Sequence, residues 1–573
     1  GGALGLSSIV ALTLGVTVAS KLITADRVKS SPLYRPSSRV FDILAGGYLR
    51  LLKGVLVLRW LILALALALI AAMAWLYDSL PRELSPREDR GAVFIPVAAP
   101  EGATLEYMVG IMRQIEDVLL PLTDADGPAE HVISLVAPRS AGQGPVNSGI
   151  VILRLKDWGE REMSQFEVTR SLLPQLAGIT GAQAFAINPP SLGGSNFQQP
   201  VQMALTGEDL DQIHEVAQQV LTEARRLPEL AQIRLDYQPS NPQLRIRIDR
   251  DRAALLGIPI AEIGRTLQIL MGGEDITDFS IDAETYEVMV RAGFEDRASP
   301  DDLGEVYVRA EDGSLVALSG LIQTELIGRA AELQRVDRLP AVTLKGSLAG
   351  GVALGDAINA LEAVARPLLP AAGVQIGWLG ASEDYQRSSR AFLLAFTLAL
   401  VIVYLVLSAQ FESFIQPLVL LAGVPLAIFG ALLALLIGGG SINIYSQIGF
   451  ILAIGIMAKN AILLVEFVNQ LRDRGTDVRE AVEQAAHVRF RPIMMTSVAT
   501  FFGALPLVLA MGPGAETRSI LGLVILGGVL AATLLTLFLV PVLYLLIASR
   551  TRPRSALADD LARQRQDNEA EAS

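Results

Sequence analysis

Lys459 lies in the middle of an apolar run, GIMAKNAILLVEF, where an ammonium is out of place. Ionisable groups inside a membrane span are costly, so they pair with an opposite charge, shift toward neutrality, or mark a proton or ion path. Asn460 is its neighbour, and Glu466 follows near the end of the same run. In the next apolar run Thr496 comes seven residues after Arg489, a spacing that puts both on one helix face. Lys459 with Thr496 thus reads as part of a polar proton or ion site between two helices. The plainer alternative is a structural tether to neighbouring carbonyls, and Arg489 and Glu466, at span ends, can snorkel to water. No span contains an Asp, and Glu466 is the only carboxylate well inside one. Proton-coupled sites use acidic groups to load and release the proton, so a partner carboxylate for Lys459 must come from elsewhere.

The elements that position these residues are apolar helices. Hydrophobic residues make up 51% of the 573 and charged ones 18%, and the mean hydropathy is +0.44. Spans are expected at 55–77, 391–409, 416–437, 444–468, 492–511 and 519–548, with a seventh, cut short, at Ala3–Leu22. That first run has no basic stretch before it and no cleavage site after it, which argues against a signal peptide. Basic residues crowd the segments 21–53 and 472–491 and the tail from Arg550. Short basic loops stay cytoplasmic, so the long region 79–388 is placed outside. The net charge of −12 and the lack of a basic, aromatic-laced patch argue against nucleic acid. With no Cys there is no disulfide framework.

The external region reads as strands alternating with amphipathic helices. Ala92–Ala98, a helix over Thr104–Leu120 capped by Thr104, His131–Val136, Ile150–Leu155, a helix over Gln165–Leu176, and Gln183–Ile187 form a βαββαβ unit, the ferredoxin-like pattern. The pattern repeats as Val201–Thr206, Leu210–Ala224, Gln232–Tyr237, Ala341–Lys345, Asp356–Ala365 and Val374–Trp378. Residues 238–335 interrupt the repeat, with their own strands (Leu244–Ile248, Tyr286–Arg291, Val306–Arg309) and a helix near Ile260–Leu270. The expected fold is therefore a polytopic α-helical membrane protein with an α+β external region. Two ferredoxin-like modules, 79–199 and 200–237 with 336–388, make up that region, the second carrying the insert. Residues 1–22 are the remnant of a helix, 23–54 a basic amphipathic cytoplasmic linker, 55–78 a span, 389–548 five spans, and 549–573 a polar cytoplasmic tail, mobile or helical.

AKNAILLVEF (458–467), RFRPIMMTS (489–497), QPLVLLAGVPLAIFGALLA (416–434) and GGVLAATLLTLFLVPVLY (527–544) resemble the second half of resistance-nodulation-division efflux pumps. LPRELSPREDRGAVFIPVAAPEGAT (80–104) and LKDW (155–158) are similar to the same family, in collinear order over essentially the whole chain. The resemblance implies that the modules are porter subdomains and that the 238–335 insert is a docking domain facing an outer-membrane channel. It matches Lys459, Asn460, Arg489 and Thr496 to the family's proton-translocation positions. The paired aspartates of the family lie on a helix that this chain does not contain.

The resemblance also matches Ser134, Val136, Ile152, Phe185, Ile187 and Arg234 to porter positions lining the drug pocket. Module core is an equal reading for Val136, Ile152 and Ile187. The loop Ala137–Ser148 matches the family's Gly-rich switch loop but has no aromatic residue, which weakens aromatic stacking of ligands.

The family further implies proton antiport across a bacterial inner membrane, driven by the proton gradient with no cofactor. Its partners would be an N-terminal half with the acidic relay helix, two further copies in a homotrimer, a periplasmic adaptor, an outer-membrane channel and membrane lipid. The AKNAILLVEF helix points to the branch exporting hydrophobic and amphiphilic compounds. A heavy-metal exporter is the alternative, disfavoured by no Cys, 3 His and scattered Met. A membrane sensing or lipid-binding protein of the same fold is a further one. A hydrolase lacks support, with no nucleophile elbow, no HExxH and too few His for a triad.

Overall fold

The computed structural model describes residues 2–22, 34–138, 145–192, 199–282, 284–330, 332–369 and 373–548. The chain opens with helices α1 (Gly2–Val10) and α2 (Val16–Leu22), joined by a π-helical turn at Ala11–Gly15. The expected linker instead contains a 24-residue helix, α3 (Tyr34–Val57), whose Tyr48, Leu52 and Leu56 are buried. Their spacing of four residues makes one apolar stripe, which packs on the bundle. Tyr48 stacks on Phe490 and donates its hydroxyl to the Leu537 carbonyl at 2.8 Å. The first long apolar helix, α4 (Arg59–Ser79), follows after a break at Leu58.

Two α/β modules come next. In the first, β1 (Ala92–Ala98), helix α5 (Leu105–Leu119), β2 (Ala129–Val136), β3 (Ser148–Leu155), helix α6 (Gln165–Ala177) and β4 (Gln183–Ala184) form a four-stranded antiparallel sheet ordered β2-β3-β1-β4. Thr104 caps α5 through the Tyr107 amide at 3.2 Å, and Ser164 with Glu167 forms a capping box on α6. The last strand is shorter than the expected Gln183–Ile187, because the chain leaves the ladder after Ala184 and returns only as a single bridge from Ile187 to Phe94. Val93, Ile95 and Val97 pack with Met108, Ile115 and Leu172 as the module's core.

The second module repeats that order. Its elements are β5 (Val201–Thr206), α7 (Leu210–Ala224), β6 (Leu230–Leu235), β14 (Leu339–Leu348), α10 (Leu354–Ala365) and β15 (Gln375–Trp378), and β14 lies between β6 and β5 while β15 flanks β5. A short β13 (Gln334–Val336) extends the edge beside β14. The two sheets are separate.

Between β6 and β13 the insert begins and ends as one antiparallel ladder, β7 (Asn241–Ile248) with β12 (Ile322–Arg329). It holds α8 (Arg250–Leu255), α9 (Ile260–Leu267) and two hairpins, β8 (Glu274–Ile281) with β9 (Glu284–Val290) and β10 (Tyr307–Arg309) with β11 (Leu315–Ala317). Ala253, Ile258, Ile263, Val308, Leu318 and Leu321 form a core of its own.

The C-terminal bundle comprises α11 (Gly380–Phe411), α12 (Gln416–Leu421), α13 (Val424–Ile437), α14 (Ile444–Asp473), α15 (Val478–Val508) and α16 (Ala515–Ala548). With α4, and with α12 and α13 forming one span, this makes six described helices long and apolar enough to cross a membrane. Several run past the expected spans. α11 starts at Gly380 rather than 391, α15 at Val478 rather than 492, and α16 at Ala515 rather than 519. Charged residues end a hydropathy window, but they do not end a helix. α13 and α16 cross at backbone contact, since a Cβ on Gly430 would meet Ala531 and the Gly527 carbonyl.

A strap, residues 80–90, joins the bundle to the modules. Its backbone pairs with the α13–α14 loop through Ile442 N–H to the Pro81 carbonyl at 2.8 Å and Glu83 N–H to the Ile442 carbonyl at 2.9 Å. Gly355 of α10 donates to the Arg82 carbonyl at 2.9 Å, so the strap also touches the second module. Further along, Asp89 is buried with Arg161 of the first module.

Candidate functional site

Helices α14, α15 and α16 bring the sequence-selected polar residues together only in part. Asn460 is buried and donates from Nδ2 to the Ser497 hydroxyl of α15 at 3.3 Å. Thr533 of α16 donates to the same oxygen at 2.8 Å. Asn460–Ser497–Thr533 is thus a chain of hydrogen bonds across three helices. Lys459 points away from it. Its side chain is exposed on the bundle surface, and among the described residues it makes no hydrogen bond or ion pair.

Thr496 does not meet Lys459 directly, since its hydroxyl bonds the Ile493 carbonyl of its own helix at 3.0 Å. Arg489 lies three turns inside α15 rather than at its start, with the guanidinium carbon 4.8 Å from the centre of the Phe467 ring and its Nε buried without a hydrogen bond. Glu466 accepts from Gln470 at 3.4 Å and takes no part in the network.

A second polar group was not foreseen. Arg472, expected in a basic loop, is buried because α14 continues to Asp473. It donates to the Tyr544 hydroxyl at 3.1 Å, which donates to Asn469 at 2.6 Å, and the Asn469 amide donates to Gln416 at 2.9 Å. Three helix segments distant in sequence share this network, so no local spacing announces it.

Outside the bundle a cleft of about 880 Å³ opens between the two modules, and Arg234 is on its wall. Lys345 and Asp236 stand 3.7 Å apart beside it. Burial pushes the Arg234 guanidinium down from its ordinary value, while Asp236 and Glu101 hold it up.

The other pocket candidates divide by sheet face. Ile133, Ile152, Phe94 and Ile187 are register partners in one row across the first sheet, on the face opposite its helices. Ala184 and Ala186 pack with the helix layer, so alternation puts half-buried Phe185 on the same open face as Ile187. Val136 packs instead against the helix-side core, and Ser134, two residues before it, has a buried hydroxyl without a partner. Ser134 and Val136 therefore face inward, and none of these five lines the cleft with Arg234. Of the loop Ala137–Ser148, residues 139–144 lie outside the described residues. Among the described residues, no three His, Asp or Glu side chains converge on a metal-sized space.

Apolar helices of spanning length, polar bonds between them, and a β-containing region with a cleft fit a membrane protein with a large α/β region. The chain belongs to the AcrB/AcrD/AcrF family of resistance-nodulation-division transporters, whose sequence model matches residues 2–548. It is 30% identical over 560 residues to an uncharacterised transporter of Haemophilus influenzae, covering 96% of this chain and 53% of that protein. It is 31% identical over 517 residues to the multidrug/solvent efflux pump membrane transporter MepB of Pseudomonas putida, covering 89% of this chain and 49% of the pump. The toluene efflux pump membrane transporter TtgB of Pseudomonas putida matches to the same extent. The chain spans about half the length of the curated relatives it matches.

Proposed function

We propose that this chain forms the C-terminal half of a proton-driven permease that exports hydrophobic and amphiphilic compounds across a bacterial inner membrane. The single observation that carries this reading is Lys459, an exposed ammonium without a partner among the described residues, on a helix otherwise apolar enough to span a membrane. Such a group calls for carboxylates on neighbouring helices, which this reading puts on the pump's other half. A proton arriving there weakens the attraction to Lys459 and lets the helices move, which is the two-state element that coupling needs.

In the same reading the two sheets are ferredoxin-like porter modules, supported by their matching strand orders, β2-β3-β1-β4 in the first and β6-β14-β5-β15 in the second. The cleft with Arg234 receives substrate, and the insert docks toward an outer-membrane channel with a periplasmic adaptor, in a homotrimer. The relatives named for solvent, multidrug and toluene efflux support an amphiphilic organic cargo. Co-expression with a matching first half tests it. Dye efflux that collapses with the proton gradient supports the proposal, and copper or zinc resistance without dye efflux overturns it.

A further inference from the structure

The strap meets the bundle and the second module at one joint. Ile442 N–H donates to the Pro81 carbonyl at 2.8 Å, Glu83 N–H to the Ile442 carbonyl at 2.9 Å, and Gly355 N–H of α10 to the Arg82 carbonyl at 2.9 Å. These bonds seat Glu83 and Asp356, the residues that follow Arg82 and Gly355, at the same crossing. The joint is tightly packed, since a Cβ on Gly355 would meet the Tyr385 hydroxyl of α11 and the Arg82 side chain.

Acid outnumbers base here. Asp356 faces Arg82 of the strap, Asp78 at the end of α4 and Glu229 just before β6, while Glu83 faces Asp356 and Arg87. Glu516 of α16 lines the same cavity as Glu83 and Arg87. Arg82 is held by Asp78 at 2.8 Å and the Tyr77 carbonyl at 3.3 Å. Arg87 reaches Glu83 only at 3.9 Å and donates to the Val352 carbonyl at 3.2 Å, and Arg518 bonds the Met511, Pro513 and Gly514 carbonyls instead of Glu516. Glu83 accepts from the Ser441 hydroxyl at 3.0 Å, with 18% of its side chain exposed. Burial pushes its carboxyl above the ordinary value and Asp356 adds to that, against the Ser441 bond and Arg87. Burial likewise raises Asp356, with Glu229 and Asp78 adding to it and Arg82 opposing. Ionising both groups therefore strains the joint, and a proton relieves it. A neutral Glu83 still accepts from Ser441 through its carbonyl oxygen.

We propose that this joint is an acid-tightened latch, in which proton uptake by Glu83 and Asp356 closes the strap onto both the bundle and the second module. A carboxyl held above its ordinary value adds stability that is full below about pH 4 and is lost as pH rises through the raised value. The Asp89 carboxyl at the strap's far end lies below its usual range and stays ionised while the latch titrates. Glu88 lies between the two, facing Glu516 and Arg90. The latch rests neither on transport nor on a second half, since it is measured on this chain alone.

Hydrogen exchange at the amides of Glu83, Gly355 and Ile442 reads the joint directly. It is measured on the full chain in phosphatidylcholine nanodiscs and corrected for the intrinsic exchange rate at each pH. Protection at these amides should rise roughly threefold to tenfold from about pH 7.5 to about pH 5. Glu83→Gln with Asp356→Asn mimics the neutral pair and should be protected at both pH values. Arg87→Gln removes a charge that opposes protonation of Glu83, so its rise in protection should begin at a higher pH. Peptides from β1 and β3 report whether each variant is folded, and if the double variant is not, Arg87→Gln decides. Four results overturn the latch: flat protection in the unmodified chain, pH dependence that survives in the double variant, a folded double variant unprotected at both pH values, or no upward shift in Arg87→Gln.

Discussion

Asp89 and Arg161 lie 2.7 Å apart with 1% and 2% of their side-chain surface exposed, pinning the strap to the first module. Asp89 also accepts the amides of Gln165 at 2.8 Å and Gly91 at 3.1 Å, and Arg161 lies over the Trp158 ring. Burial alone would push the Asp89 carboxyl up, yet Arg161 and the two amides outweigh it and hold the group below its usual range. A lowered folded-state value means stability that is present above the ordinary carboxylate pKa and lost as pH falls through the folded one. Arg161→Met should cost about 3–5 kcal/mol by stranding the buried carboxylate. Asp89→Asn should also destabilise, and its melting temperature should converge on that of the unmodified chain below about pH 4. A gap constant from pH 7 to pH 3 would refute the assignment.

Lys459 should behave differently in the chain and in the pump. With no partner for Lys459 among the described residues, Lys459→Ala should change the chain's own stability by no more than about 0.5 kcal/mol. Reunited with a matching first half, the same variant should abolish proton-dependent dye efflux while assembly is retained. Lys459→Arg should also pump poorly, because a guanidinium is broader and does not release its proton. Unchanged efflux in Lys459→Ala would dismiss the coupling role.

Ser497 joins Asn460 to Thr533, so its removal orphans two buried groups at once. Ser497→Ala should cost about 1–3 kcal/mol for each donor left unpaired. Thr533→Val, which removes one donor and keeps the shape, should cost less. The order of the two midpoints in thermal or denaturant unfolding checks this, and a Thr533→Val loss equal to that of Ser497→Ala would speak against a shared acceptor.

Backbone contact between α13 and α16 leaves no room at Gly430. Gly430→Val should destabilise by about 1–3 kcal/mol or more through overpacking. Gly455, whose Cβ would meet nothing within 4 Å, is the control and should tolerate Ala. Equal effects at the two positions would show that the crossing is not close-packed.

What the sequence makes legible is visible at particular residues. The stripe Met108, Met112, Ile115 and Leu119 marks α5, and the distance from β6 to β14 announces an insertion. Helices extend past their apolar windows where Arg390, Arg489 or Glu516 ends the window, since hydropathy reports solvent and not backbone. Sheet faces were the harder problem. Ile133 and Leu135 are as apolar as Val132 and Val136, so alternation separates two faces without saying which one helices cover. The cleft charges, the Arg472–Tyr544 contact and the Asp89–Arg161 pair join residues far apart in the chain, and only the fold could show them.

The ladder of β7 and β12 puts Asn241 directly across from Arg329, while β6 and β14 are already bonded neighbours in the host sheet. The insert therefore hangs from its host like the tip of one long hairpin. Geometrically it is a cassette: cutting between those two residues and closing the gap with a short turn would leave every host strand where it is. Heads of different shape can be exchanged on one unchanged body without disturbing the two sheets below.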